Sequence, residues 1–372
     1  MKRIILAIAA ITAIAACTKS EVTYEAPGEI GFNVVAGNIT KAPATGTAMP
    51  EDLHMYVNAY VHADADSNTD GIQFPDAPDY INNGEFKFRE AVTDDGKTIK
   101  LWGGEEERYY WPNEQKLHFS GFSKSGNATK ANASYNPETD VLTINGYEPG
   151  KGTDLGKNDL MWFPSTIHSK PAGYGKEGGK FPDYVEVEMY HTCSWLTFMV
   201  QGDETTGGTN STYKITSLKI NDIDLMGNVT CDGTKATLTE KVVWDPETTK
   251  EDETYVVIEN ANVNLRETFV EGGESKPKNI ETGKVKAFYE GNVVVIPQIP
   301  GKIDIEWTYE SSTGEDITDS ATDLDLKLGS NVQSWEPGKH YIYTITLKAN
   351  EILIAPTPDD WTESLDNNVT VE

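Results

Sequence analysis

Short runs of alternating apolar and polar residues dominate the chain. The segment from Gly28 to Ala36 places Ile30, Phe32 and Val34 on one face. A period of two residues is typical of half-buried β-strands. Similar short runs, bounded by Gly, Pro, Asn or Asp, continue towards the C-terminus, and no long amphipathic helical pattern interrupts them. The pattern predicts an all-β protein.

The longest alternating run extends from Tyr184 to Val200. Its Val185, Val187 and Met189 have the spacing of inward-facing residues, and glutamates occupy the positions between them. This favours an antiparallel strand with one solvated face, bent near His191.

The regular spacing of the predicted strands favours β-sandwiches. A Gly- and Thr-rich stretch from Gly202 to Asn210 breaks the pattern and resembles a linker. We therefore expect an N-terminal β-sandwich domain over residues 28–203 and a second one over residues 204–356. Residues 357–372 would form a C-terminal tail.

The N-terminus has the layout of an export signal. Lys2 and Arg3 precede an apolar stretch that ends at Ala16, and a basic start before a short apolar segment is typical of secretory signals. The residues Ile-Ala-Ala before Cys17 resemble a bacterial lipobox. We expect residues 1–16 to be the signal peptide, Cys17 to carry lipid, and residues 17–27 to form a tether. An ordinary signal with a chance cysteine is the alternative.

The charge balance excludes one class of partner. The chain has 31 Lys+Arg against 59 Asp+Glu, a formal net charge of −28. Nucleic-acid binding needs clustered basic residues, so we expect no nucleic-acid partner. After the signal, no apolar run reaches the roughly 20 residues that a membrane-spanning helix needs.

Signatures of common enzymes are missing from the sequence. The chain contains no G-x-S-x-G, H-E-x-x-H or P-loop motif, and we expect it not to be an enzyme. His191 and Cys193 share a strand face, but no third group to orient them is apparent. We expect Cys193 and Cys231 to be unpaired structural cysteines, although an exported chain also permits a disulfide.

One loop has spacing that suits a cation. Asp66, Asn68 and Asp70 place oxygen side chains at alternate positions before Gly71, as in calcium-binding loops. The glutamate that ends such loops is replaced by Ala77. A candidate Ca²⁺ site and a solvated acidic hairpin loop therefore both stay open, and we expect no other cofactor.

Several sequence blocks together resemble the fimbrillin family of Bacteroides-type bacteria. After the lipobox, they read in family order GEIGFNVVAGNITKAPATGTAMPEDLHMYVNAY, ERYYWPNEQKLHFSGFS, NDLMWF, VEVEMYHTCSWLTFMV and WEPGKHYIYTITLKANEILIAPTPDDW. The sequence departs from the family at Thr192 and Cys193, where Ala-Leu is usual, and at Lys41, where Arg is common.

This resemblance implies two transthyretin-like Greek-key β-sandwich domains in tandem. It implies a pilus subunit that supports adhesion, is exported as an outer-membrane lipoprotein precursor, and then becomes part of a cell-surface fimbrium. A protease would remove the N-terminal segment with its first strand, and a strand of a neighbouring subunit would fill the groove by donor-strand exchange. The partners would be other subunits of the same pilus and a receptor that the sequence does not identify.

The resemblance assigns roles to particular residues. The displaced strand would contain Ile30, Phe32 and Val34, and cleavage would fall between Lys41 and Ala42. The donor strand would use residues of the C-terminal tail, namely Leu365, Val369 and Val371. The plainer interpretations are an ordinary loop lysine and a frayed terminus.

A rival function comes from a different class. A stationary surface lipoprotein that binds glycans would share the lipid anchor and the β-sandwiches. Its sugar platform would draw on aromatic residues that also suit core packing: Tyr109, Tyr110, Trp111, Trp162 and Tyr190.

Overall fold

The structure is a computed structural model, and it describes most of the chain between residues 28 and 360. The described ranges are 28–36, 52–62, 78–92, 98–112, 115–149, 158–169, 185–202, 213–247, 254–259, 263–264, 268–271, 274–277, 288–310, 313–327, 332–347 and 352–360.

The described residues are almost entirely β-structure, which confirms the all-β prediction. The first strands are β1 (Gly31–Ala36), β2 (His54–His62), β3 (Ile81–Val92), β4 (Thr98–Gly104), β5 (Lys116–Ser123), β6 (Ala133–Asn136), β7 (Val141–Tyr147), β8 (Met161–Ser169) and β9 (Val185–His191).

The remaining strands follow in the second half, with one short helix. They are β10 (Ser194–Gly202), β11 (Tyr213–Asn221), β12 (Gly227–Asp232), helix α1 (Leu238–Lys241), β13 (Val242–Pro246), β14 (Thr254–Ile258), β15 (Val263–Asn264), β16 (Thr268–Glu271), β17 (Glu274–Pro277), β18 (Phe288–Val295), β19 (Lys302–Glu310), β20 (Asp316–Asp325), β21 (Lys339–Leu347) and β22 (Ile352–Asp360).

Seven of the first nine strands form one closed sheet, in the order β1-β4-β3-β2-β5-β8-β9. The enclosed core contains the inward faces of these strands, including Ile30, Phe32, Phe86, Phe119 and Phe163. Closure occurs because β1 pairs with β4 on one side and with β9 on the other.

Two open sheets enclose a second core further along the chain. Their orders are β18-β10-β21-β22 and β14-β11-β19-β20. Between them lie buried residues such as Phe198, Trp307, Trp335 and Tyr343. Phe198 and Tyr343 stack with ring centroids 5.5 Å apart, which is a favourable offset for two aromatic rings.

A small sheet, β13-β12-β7-β6, joins the two halves. A third core beneath it combines side chains from both, including Trp162 of β8, Val229 of β12 and Val294 of β18. Strands before residue 203 therefore pair with strands after it in two places. β7 pairs with β12 in this small sheet, and β10 pairs with β18 and β21. The expected division into domains 28–203 and 204–356 stays a prediction.

The long predicted strand is in fact two strands. β9 ends at His191 and β10 begins at Ser194, and they belong to different sheets. Val185, Val187 and Met189 are buried as their alternation predicted. Among the described residues, no helix is long and apolar enough to cross a membrane.

Candidate functional site

The first strand is the piece that closes the seven-stranded sheet. Along one edge it runs parallel to β9, from Phe32 opposite Val185 to Ala36 opposite Met189. Along its other edge it is antiparallel to β4, with Gly31 opposite Gly103. Because β4 and β9 meet only through β1 in this sheet, removing β1 would open a groove between them.

The inward face of this segment is fully embedded in the core. Ile30, Phe32 and Val34 have at most 1% of their surface exposed, whereas Asn33 between them is exposed. The Phe32 ring packs edge-on against Phe86 and Phe119, with centroid distances of 5.1 and 5.3 Å. The structure thus brings together the three residues that were predicted to form the displaced strand.

The start of this segment is held by a buried carboxylate. Glu29 is completely buried, and both of its oxygens accept hydrogen bonds from guanidinium groups. Arg89 donates to Oε1 through Nη2, and Arg108 donates to Oε2 through Nη1 at 2.9 Å. The Ile30 amide also donates to the carbonyl of Tyr109 at 2.7 Å.

Sequence reasoning missed this ion-pair cluster. Glu29 is one of 59 acidic residues, and its partners lie 60 and 79 positions further along the chain. The only local signal is an acidic residue directly before an alternating apolar run, which is too common to single it out.

The other predicted site residues lie outside the described residues. This applies to the lipidation, cleavage, candidate calcium and donor-strand positions, which are Cys17, Lys41, Ala42, Asp66, Asn68, Asp70, Leu365, Val369 and Val371. Their roles stay predictions.

The buried carboxylate of Asp159 lies beside His191, close to Cys193. Asp159 Oδ2 lies 2.6 Å from His191 Nδ1, and both side chains are almost fully buried. Burial raises the pKa of the Cys193 thiol well above its usual range. A protonated and inaccessible thiol is a poor nucleophile, so the geometry favours a structural role. Cys193 and Cys231 are both free and buried, as predicted.

A surface cluster has distances that suit a metal ion. One ligand atom each from His54, Glu85 and Glu105 lies within 4.8 Å of the others. Both carboxylates already pair with ammonium groups, however. Lys124 lies 2.7 Å from Glu85, and Lys87 lies 2.6 Å from Glu105. These contacts make the cluster an ion-pair network.

The aromatic residues considered for sugar binding do not share one surface. Trp111 and Trp162 are buried in different cores, with 6% and 1% of their surfaces exposed. Tyr110 is 43% exposed. Both tryptophans therefore serve core packing, which is the common role of large aromatic side chains.

These features define an all-β protein whose first strand completes a closed sheet. The sequence matches the fimbrillin-like family over residues 40–361. Since this match covers most of the chain, the protein belongs to the fimbrillin-like family, which confirms the resemblance seen in its motifs. No curated protein matches the chain.

Solved structures that match the chain include fimbrial proteins. A fimbrial protein from Bacteroides vulgatus is 13% identical, with a TM-score of 0.52, and the match covers 90% of this chain and 100% of that one. The fimbrial anchor protein Mfa2 from Porphyromonas gingivalis is 12% identical, with a TM-score of 0.28, covering 91% of this chain and 100% of that one. At these identities, the first similarity supports the fold alone.

Proposed function

We propose that this protein is a structural subunit of a cell-surface fimbrium that supports adhesion. Its membership of the fimbrillin-like family supports this role and favours a structural over a catalytic function. We further propose export as an outer-membrane lipoprotein precursor held by lipid at Cys17. Three acyl chains would anchor it firmly, since each buried CH₂ contributes about 0.8 kcal/mol.

The proposed assembly step is donor-strand exchange. Two transthyretin-like Greek-key domains in tandem would form the subunit, and cleavage between Lys41 and Ala42 would detach the segment that contains β1. The observation that carries this proposal is the position of β1. It is paired along both edges and connects to β2 through residues 37–53, which include the proposed cleavage site.

The energetics of the groove explain why exchange needs a replacement strand. Fully burying a side chain such as Ile30, Phe32 or Val34 contributes about 1.5–3 kcal/mol. Loss of β1 would expose the partners of all three and leave the edges of β4 and β9 unpaired. An incoming strand with the same alternation restores both, and in our proposal Leu365, Val369 and Val371 of another subunit supply it.

The test is limited proteolysis of a chain that lacks residues 1–16. Brief trypsin treatment is followed by mass spectrometry for the cut and by size-exclusion chromatography for assembly. We expect a cut after Lys41 and then ordered oligomers. Lys41→Ala should stay monomeric, whereas Lys130→Ala, at an exposed turn, should behave like the wild type. A cut chain that remains a stable monomer would contradict strand exchange.

A second candidate function is that of a stationary surface lipoprotein that binds glycans. An open groove of about 730 Å³ favours it, because the lining combines aromatic, carboxylate and amide groups of the kind that orient polar ligands. These include Trp244, Asp224 and Gln298. Lipid retained at Cys17, monomeric behaviour and binding on a glycan array would support this candidate over the fimbrial subunit.

A further inference from the structure

Two of the three side chains in the Glu29 cluster lie outside the segment that contains β1. Arg89 belongs to β3, and Arg108 follows β4. Both arginines therefore remain in the chain if the segment that contains Glu29 and β1 departs. What remains at the end of the groove is a pair of guanidinium groups, here called the arginine pocket.

A glycine in β4 leaves room for the Arg89 side chain to reach Glu29. Its side chain must cross β4 to meet Glu29, and at the crossing β4 has Gly103, opposite Gly31 of β1. A Cβ atom at Gly103 would lie 2.7 Å from Arg89 Nη2, which is too close for an ordinary contact. The missing side chain therefore opens the path to the carboxylate.

The arginine pocket selects for negative charge. The Arg89 side chain is only 14% exposed, whereas that of Arg108 is 35% exposed. Arg108 has access to water, but a replacement strand that covered Arg89 as this segment does, and carried no anion, would leave Arg89 as a buried cation. An unpaired buried charge is strongly unfavourable, so a strand that lacks a carboxylate here would bind poorly.

The arginine pocket also distinguishes between strand registers that the apolar face alone would allow. A strand shifted by two residues still directs the same face inward, because side chains alternate with a period of two. That shift moves every residue by about 6.6 Å. A carboxylate at the end of the strand reaches the two guanidinium groups in one of these registers only.

We propose that the arginine pocket is a carboxylate-binding subsite that sets the register of the strand replacing β1. Its occupant is an extended segment of a second subunit with an Asp or Glu next to its first buried apolar residue, as Glu29 is next to Ile30. This inference rests on the proposed strand exchange.

The experiment varies the incoming strand and leaves the subunit unchanged. A protease site is inserted between residues 37 and 51 of the full mature chain, which is then cut and unfolded so that the detached N-terminal segment can be removed. The remaining chain is refolded with an excess of two peptides spanning residues 28–36, present at equal concentrations: the natural sequence and its Glu29→Gln form. The natural peptide is amidated and the Gln peptide has a free C-terminus, so that their net charges match. Mass spectrometry of the isolated complex gives the ratio of bound peptides.

We expect the natural peptide to be favoured at least about tenfold, since hydrogen bonds to charged groups are stronger than neutral ones. In a host chain with Arg108→Gln, the preference should shrink. Equal binding of the two peptides would overturn this inference and leave strand exchange intact. If neither peptide enters, both the inference and the exchange at this groove are wrong.

Discussion

Replacing Phe32 with alanine tests how firmly β1 is built into the closed sheet. Phe32 is fully buried and packs edge-on against Phe86 and Phe119. Truncating a buried Phe to Ala costs about 3–5 kcal/mol, because apolar surface is lost and a cavity remains. We expect the upper part of this range, since each aromatic pair contributes about 0.5–1.5 kcal/mol beyond its buried area.

The assay is urea denaturation of a chain that lacks residues 1–16, followed by tryptophan fluorescence. Trp102 and Trp111 lie in the same core as Phe32, so their emission reports on the closed sheet. With a urea dependence of about 2–3 kcal/mol per molar, the midpoint of this transition should fall by about 1.3–2.5 M.

The matched control is Asn33→Ala on the same strand. Asn33 is exposed, and exposed substitutions usually change stability by less than about 0.5 kcal/mol. If Phe32→Ala changed stability as little as this control, the closed sheet would not depend on β1. The proposed exchange would then lose its physical basis.

Three further predictions follow from contacts near the same sheet and from the third core. Gly103→Ala should weaken the binding of the natural 28–36 peptide in the exchange experiment, because the added Cβ displaces the Arg89 guanidinium; unchanged binding would show that Arg89 reaches its partner by another path. Burial acts to raise the pKa of Glu85, but the hydrogen bonds and positive charges of Lys124 and His54 together outweigh it, and the pKa is lowered. A lowered carboxyl pKa stabilises the fold above the unfolded-state pKa, and this contribution is lost as the pH falls through the folded-state pKa. Lys124→Met should therefore reduce stability at pH 7, by less than about 1 kcal/mol because Lys124 is half exposed, and the deficit in melting experiments should disappear in acid. Finally, Cys193 should react with a thiol reagent only in denaturant, since burial raises its pKa and blocks access; rapid labelling of the native chain would contradict this.

Two of the strands that were recognised from the sequence, β1 and β9, bury one face and expose part of the other, so their burial alternates with the period of the strand. β20 shows the opposite case. Its residues are mostly exposed, and among the described residues it pairs only with β19, at the edge of its sheet. Without a buried face, it carried no alternating pattern and was not predicted.

The break between β9 and β10 illustrates a second limit. The run from Tyr184 to Val200 looks continuous because both strands bury alternate residues. Only the structure separates them, since β9 pairs with β1 and β8, whereas β10 pairs with β18 and β21. Local alternation is insensitive to which sheet a strand joins.

The sequence by itself determined the all-β class, the inward face of β1 and the family, because side-chain alternation and short motifs are local properties. The tertiary structure decided that β1 closes a sheet between β4 and β9, and that Glu29 meets Arg89 and Arg108. Those partners come from distant parts of the chain, and their pairing follows from how whole sheets pack. The role of a single acidic residue beside an apolar run is determined only when the fold buries it against two cations.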